Sequence, residues 1–360
     1  MWVPINPDDV PALESLLSAA DPFVTSMIDT SFPYRLTDYL QHSQFGSGEL
    51  CALLDRNLVS RAIGLARGQE VDHSRPDSAS YRVAAGCMAF LITGKFLIEP
   101  NISLYEFAES VDPSEAHEHV VALRLADHVH PQAYLDIALG RENFLPSWVI
   151  ADAQRLVEAL APGPIPDFKL PLRHWRRHRC AVAQVALLER SSSSASAKIH
   201  RFIDWSATSG FFDATAVCFA AVFFGRNRPR GMLNGVRSHS LDRCLLSIRN
   251  AAWDLTYLSE WIRCGKQPRR IWAFCTNDRL LGRLARISVG PDRSARDLFD
   301  ENWSAREAEQ IHSHYLEAWS RVSSDPSRGD VLRERYDNIA ALTEAILAEL
   351  SVHYGTPDAG

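Results

Sequence analysis

The fold class follows from two short apolar runs, LCALLD at residues 50–55 and IWAFCTND at residues 271–278. Each run has the length and the continuous apolar character of a strand that is buried on both faces. Both runs end in polar residues that include an aspartate, and helical patterns follow them. After the first run, Leu58, Ala62 and Leu65 recur at helical spacing. The two runs therefore predict an α/β fold built on a short parallel sheet.

The rest of the chain shows mainly helical periodicity. The apolar segment Ser80–Leu97 predicts a buried helix, and Ile102–Glu109 predicts another helix after the break at Glu99–Asn101. We expect four parts: a lead-in over residues 1–47, a core formed by residues 48–110 and 245–290, a mainly helical insertion over residues 111–244, and a helical C-terminal extension over residues 291–360.

Composition places the chain among ordinary globular proteins. Of its 360 residues 46% are apolar and 23% are charged, which excludes a disordered or fibrous class for most of the length. Seven scattered cysteines without a CxxC pair argue against both a disulfide framework and a zinc cluster. No apolar run approaches the roughly 18 residues of a membrane span, and we find no secretory leader, so we expect a cytoplasmic protein without membrane contact.

Positive charge is concentrated in three segments. Residues 168–180, 225–243 and 263–270 contain fourteen lysines or arginines and one acid, although the whole chain has a net charge of −6. Such an asymmetry is typical of a groove that binds a polyanion. It is also found on helical proteins with solvated basic faces, so charge alone leaves both interpretations open.

Four acidic residues are candidates for a metal site. Asp55 and Asp278 follow the two strands, and the carboxyl ends of parallel strands form the crevice in which α/β sheets bind ligands. Glu106 and Asp254 lie on predicted helices next to those strands. Carboxylates gathered in one place repel one another unless a cation is present, and Mg²⁺ or Mn²⁺ suits oxygen ligands. Taken singly, each aspartate is also a suitable helix N-cap, and each helical acid a suitable solvated residue.

Four segments resemble the acidic motifs of PIN-domain nucleases, in the order of that family: LLDRN (53–57), ISLYEFA (102–108), NAAWDLTYL (250–258) and FCTNDRLL (274–281). The resemblance implies that Asp55, Glu106, Asp254 and Asp278 are the catalytic and metal-binding acids. Polar support would come from Asn57, Thr276 and Asn277. The matched motifs cover roughly residues 48–110 and 245–290, and Glu106 and Asp254 are much further apart than in a compact PIN domain. Glu99 or Glu109 are therefore alternatives to Glu106, and Asp242 or Glu260 alternatives to Asp254.

The resemblance implies a Mg²⁺- or Mn²⁺-dependent endonuclease that leaves a 5′-phosphate and a 3′-hydroxyl, with RNA favoured over DNA as substrate. Basic residues would contact the sugar-phosphate backbone. We expect this role for Arg56, Arg176, Arg177, Arg228, Arg230, Arg269, Arg270 and Arg279. A stand-alone nuclease with added helices fits a toxin or antiphage effector controlled by a regulatory protein partner. The alternative is a non-catalytic, mainly helical interaction protein, or a degenerate PIN-like module that binds nucleic acid without cutting it.

Overall fold

A computed structural model of the chain describes residues 4–25, 33–46, 48–160, 167–168, 172–267, 269–288 and 295–355. These residues form four strands and sixteen α-helices, so the protein is an α/β protein that is mostly helical, as predicted. The strands are β1 (Phe23–Thr25), β2 (Glu49–Leu54), β3 (Leu97–Glu99) and β4 (Arg270–Cys275). The helices are α1 (Val10–Ala20), α2 (Leu36–Phe45), α3 (Arg56–Ala66), α4 (Ser78–Thr93), α5 (Asn101–Ala108), α6 (Pro113–Asp127), α7 (Pro131–Ala138), α8 (Ser147–Ala159), α9 (Arg173–Arg190), α10 (Ala195–Thr208), α11 (Ala214–Phe224), α12 (Leu241–Cys264), α13 (Arg279–Ser288), α14 (Ala295–Asn302), α15 (Ala305–Ser324) and α16 (Arg328–Gly355).

The sheet has the strand order β1-β4-β2-β3. Strand β2 is parallel to both of its neighbours, with Cys51 opposite Leu97 of β3 on one side and Trp272 of β4 on the other. Strand β1 is antiparallel to β4 and pairs Phe23 with Cys275. The sheet is therefore mixed, which corrects the expectation of a wholly parallel sheet. After the exposed Glu49, the central strand β2 is apolar and Leu50–Leu54 are all buried, as is typical of a parallel strand in the interior.

The predicted helix over residues 80–97 is shorter than expected. Helix α4 ends at Thr93, Gly94 follows as its C-cap, and Lys95 adopts a left-handed conformation with φ of 60°. The chain then turns into β3, which is only three residues long. A strand of this length shows no alternating pattern, so Phe96 and Leu97 were predicted as a continuation of the apolar helix α4.

The chain divides into two compact units. The first contains Met1–Leu170 and Trp261–Arg286, and the second contains Pro171–Glu260 and Ile287–Gly360. The first unit holds the whole sheet, and its core joins β2 and β4 to α1, α2, α3, α4 and α7. The second unit is helical and includes α9, α10, α11, α15 and α16.

The predicted parts of the chain are distributed over these units. Residues 111–244 are mainly helical as expected, with α6–α8 in the first unit and α9–α11 in the second. Parts of the predicted lead-in (residues 1–3, 26–32 and 47), of the C-terminal extension (291–294 and 356–360) and of the basic segments (169–171 and 268) lie outside the described residues.

Candidate functional site

Asp55 lies at the carboxyl end of β2, where the strand passes directly into α3. Its backbone N–H donates to the carbonyl of Cys275 at 3.0 Å and so continues the pairing of β2 with β4. Its carboxylate Oδ1 accepts the N–H of Leu58 at 2.9 Å and caps α3. The side chain is buried. The end of the strand thus delivers a carboxylate into the protein rather than onto its surface.

Thr276 connects Asp55 to Asp278 at the end of β4. The buried hydroxyl of Thr276 donates to Oδ2 of Asp55 and accepts the backbone N–H of Asp278 at 2.9 Å. Asp278 is exposed, and its Oδ1 accepts the N–H groups of Leu280 and Leu281 at 2.7 and 3.1 Å, which caps α13. The two aspartates predicted from the strand ends therefore lie at one sheet edge and share one hydroxyl group.

Burial sets the charge state of Asp55. It raises the pKa of the carboxyl group from 3.8 to about 6, and the neighbouring carboxylate of Asp278 acts in the same direction. The hydrogen bonds from Thr276 and Leu58 and the positive charge of Arg61 oppose this increase in pKa. At neutral pH the folded protein therefore holds a carboxylate whose charge is poorly solvated, a state that a bound cation would stabilise.

Glu106 lies on α5 and approaches α3. Nη1 of Arg56, the residue that follows Asp55, is 3.8 Å from Oε1 of Glu106, and Nη2 of Arg56 donates to Oγ of Ser110 at 3.3 Å. Of the supporting residues, Asn57 is exposed, and Asn277 donates from Nδ2 to the carbonyl of Ser80 at 3.3 Å. Glu106 is thus linked to the strand end of Asp55 through an arginine.

The remaining acids have different positions. Asp254 is half-buried on α12 within the second unit, so its membership of the site stays a prediction. Among the alternatives, Glu99 accepts the N–H of Asn101 at 3.0 Å, Glu109 and Asp242 are exposed, and Glu260 is half-buried. Among the residues described, no group of three or more histidine, cysteine, aspartate or glutamate side chains has a metal-binding arrangement.

Several arginines expected to contact nucleic acid are engaged within the protein. Arg177 lies 3.9 Å from Asp213, Arg228 lies 3.3 Å from Glu189, and Arg270 lies 2.9 Å from Glu49. Among the arginines expected to contact nucleic acid, four are exposed and make no ion pair with any described residue: Arg176, Arg230, Arg269 and Arg279. Of these, Arg279 adjoins the acid pair because it begins α13 directly after Asp278.

Sequence reasoning missed Arg61. This half-buried residue of α3 donates from Nη1 to the carbonyl of Asn57 at 2.8 Å, and its charge lowers the pKa of Asp55. Its position in the second turn of the helix that Asp55 caps could have indicated that its charge lies near Asp55.

A second buried polar group, which the sequence did not reveal, lies in the helical unit. His178 on α9 is fully buried, with Nδ1 2.9 Å from Oγ1 of Thr256 and Nε2 3.3 Å from Oδ2 of Asp213. The hydroxyl of Thr256 donates to the carbonyl of Ala252, so it accepts from His178. Burial alone would raise the pKa of Asp213, but the hydrogen bond and charge of His178 hold it well below its ordinary value. Nδ1 of His178 therefore donates to Thr256, and Nε2 faces the carboxylate of Asp213.

Comparison of the chain with models of protein families, with curated proteins and with solved structures finds no match. None of the described helices combines the length and apolar character needed to span a bilayer.

Proposed function

We propose that this protein is a divalent-metal-dependent nuclease that hydrolyses phosphodiester bonds, with RNA favoured over DNA as substrate. The observation that supports this most strongly is the acid pair: Asp55 and Asp278 follow two adjacent parallel strands and are joined through the hydroxyl of Thr276.

The topology of the sheet favours ligand binding at this position. From β2 the chain passes to β3 on one side, and it later returns to the sheet as β4 on the other side. The strand order thus reverses between the carboxyl ends of β2 and β4. Open α/β sheets bind ligands at such a switch point, because the connecting segments leave in opposite directions and open a crevice. The acid pair lies at this point.

The donor set fits a magnesium or manganese ion. Mg²⁺ is commonly held by one or two carboxylates together with water and substrate phosphate. Each oxygen of Asp55 accepts one hydrogen bond and retains a second lone pair, and Oδ2 of Asp278 accepts none from the described residues. The raised pKa of Asp55 is the expected property of a carboxyl group placed to hold a cation in a buried setting.

The residues divide the work as follows. Asp55 and Asp278 would hold the ion, with Glu106 as a further acid of the same unit. The ion would polarise the scissile phosphate and lower the pKa of the attacking water. Thr276 holds the carboxylate of Asp55 next to the backbone N–H of Asp278. Glu106 would orient the water, and Arg279 would contact the sugar-phosphate backbone. The products would be a 5′-phosphate and a 3′-hydroxyl, in keeping with the PIN-like motifs.

Cleavage of a labelled single-stranded RNA in Mg²⁺ or Mn²⁺ tests this proposal. Asp55→Asn and Asp278→Asn should fold and lose cleavage, since each removes a charge from the ion site. Asp72→Asn is the matched control, because Asp72 is an exposed turn residue of the same unit whose carboxylate accepts hydrogen bonds from Ser74. Undiminished cleavage by either site variant would reject the assignment of Asp55 and Asp278 to the active site. Cleavage of a single-stranded DNA of the same sequence tests the preference for RNA.

An effector role gives a second test. We infer that an active nuclease of this kind would be toxic without a protein partner that restrains it. Expression of the wild-type chain should then slow host growth, whereas expression of Asp55→Asn should not. Equal growth of both strains at equal protein levels would contradict the effector role.

One observation favours the non-catalytic alternative. Both acids cap helices, Asp55 at α3 and Asp278 at α13, and capping alone is a sufficient structural role for an aspartate. A protein in which capping is the whole role would gain no thermal stability from Mg²⁺ or Mn²⁺, whereas an ion site gains stability by mass action.

A further inference from the structure

A cavity of about 310 Å³ opens beside Asp278. It is formed by the C-terminal end of α1, by the residues that follow β4 and by one side of α13. Thr276 and Asp278 belong both to its lining and to the acid pair. A group bound in this cavity would therefore lie next to the acids.

The charge of Asp21, at the end of α1 in the cavity wall, is neutralised by Arg286 within the protein. Arg286 on α13 lies 2.8 Å from Oδ2 of Asp21, and it also donates to the carbonyls of Asp21 and Phe23 at 2.9 and 3.1 Å. The hydroxyl of Tyr34 donates to Oδ1 of Asp21 at 2.6 Å. Both oxygens of Asp21 are thus occupied, and these bonds hold the wall in place without leaving a free charge.

Asp278 and Arg279 are the two charged residues of the lining that have no ion pair among the described residues. Asp278 uses Oδ1 to cap α13, which leaves Oδ2 available. A free carboxylate oxygen next to a free guanidinium suits a phosphate group with a bound divalent cation, since the oxygen contacts the cation and the guanidinium contacts the phosphate.

On the basis of the proposed nuclease function, we propose that this cavity holds one nucleotide of a single-stranded substrate, adjacent to the bond that is cut, with Arg279 on its phosphate oxygens. The volume is at the lower end of the roughly 300–1,000 Å³ typical of ligand pockets, which is enough for one small unit. A base-paired duplex is too wide to enter. The site therefore selects an unpaired strand.

Substitutions at Gly282 test the role of the cavity without changing Asp55 or Asp278. A Cβ atom at this position would meet Cγ2 of Thr276 and Nη1 of Arg286 at 3.5 Å, which is ordinary van der Waals contact. Gly282→Ala therefore fits, and both alanine and leucine favour the helix more than glycine does. Because Gly282 lines the cavity, the longer side chain of Gly282→Leu would occupy the space proposed for the nucleotide.

Binding is measured by fluorescence anisotropy of a labelled single-stranded RNA, with Ca²⁺ in place of Mg²⁺ so that the strand stays intact. Gly282→Leu should bind at least about tenfold more weakly than wild type, whereas Gly282→Ala should stay within about threefold. Arg279→Ala should lower the slope of log K against log salt by about 0.7, the value for one phosphate contact on a single strand. Arg283→Ala is the matched control, since Arg283 is exposed on the same helix but does not line the cavity.

Equal binding of the strand by wild type and by Gly282→Leu would overturn the proposal, as would wild-type binding that is absent or no tighter than for the same sequence as a duplex. If Gly282→Leu fails to fold in a thermal melt, the salt slope of Arg279→Ala decides: a slope equal to that of wild type rejects the site. Cleavage separates this proposal from the nuclease function. If Gly282→Leu cleaves RNA with the KM of wild type, the cavity proposal is rejected and the nuclease function is kept. If Gly282→Leu binds more weakly but the wild-type protein does not cleave, the nuclease function is rejected and the cavity proposal is kept.

Discussion

At the scale of single residues, Asp55 occupies an environment that penalises its charge. Its folded pKa of about 6 lies above the ordinary value of 3.8, so the folded state favours the protonated form. The contribution of Asp55 to stability therefore falls as pH rises from about 4 to 6, and this loss is complete above that range. Carboxyl groups placed to bind cations commonly carry this cost, because the ion that would offset it arrives only with the ligand.

Asp55→Asn should therefore stabilise the protein in metal-free buffer above pH 6. The expected gain in unfolding free energy at pH 7.5 is on the order of 1–3 kcal/mol, since the ionised form no longer has to be buried. At pH 4 the gain should disappear. Urea unfolding with a chelator at both pH values measures it, and a variant less stable than wild type at pH 7.5 would show that the carboxylate serves mainly as a cap.

Thr276 gives a second prediction at this scale. Thr276→Val keeps the shape of the side chain but removes the donor to Asp55 and the acceptor for Asp278, and should cost about 1–3 kcal/mol of unfolding free energy and most cleavage activity. Thr276→Ser should restore both. The matched control is Thr93→Val, because the buried hydroxyl of Thr93 has no hydrogen-bond partner in the described structure. Equal losses at the two positions would mean that the bridge between the acids has no special role.

At the scale of elements, sequence predicted what depends on local pattern. The runs at residues 50–55 and 271–275 correspond to β2 and β4 within one residue, because buried parallel strands are continuously apolar and their ends are marked by polar residues. A helix follows each strand, as predicted. Strands β1 and β3 were missed, because three residues show no periodicity and form a strand only through pairing with β4 and β2.

The buried pair of His178 and Asp213 links α9 to the N-terminus of α11, and Thr256 extends it to α12. Asp213→Asn keeps the cap of α11 but leaves His178 without its anionic partner, which should cost about 3 kcal/mol or more. Because the pKa of Asp213 is lowered, this contribution is present above the ordinary pKa of 3.8 and is lost as pH falls through the lowered value. The control is Asp204→Asn, because Asp204 is exposed and lies 3.0 Å from the half-buried His314, and this substitution should cost little. Similar losses for both variants would contradict the burial argument.

At the scale of the whole molecule, charge distribution predicted less than expected. The basic segments left open a polyanion groove or solvated basic faces. Two of their arginines, Arg228 and Arg237, pair with Glu189 inside the second unit, where Lys198 pairs with Glu189 as well. Such pairs join residues far apart in sequence, so composition cannot separate a structural arginine from a free one. The two strand-end aspartates could be assigned to one sheet edge because topology follows from the strand pattern. Glu106 and Asp254 could not, since the placement of a helix depends on packing across the whole fold.

Direct detection of a bound ion bears most closely on the proposed site. In a titration with Mn²⁺ followed by electron paramagnetic resonance, the wild-type chain should bind the ion, Asp55→Asn and Asp278→Asn should each weaken binding at least about tenfold, and Asp72→Asn should bind as wild type does. Absence of Mn²⁺ binding by the wild type, or binding unchanged in the double variant Asp55→Asn with Asp278→Asn, would contradict a metal site at the ends of β2 and β4.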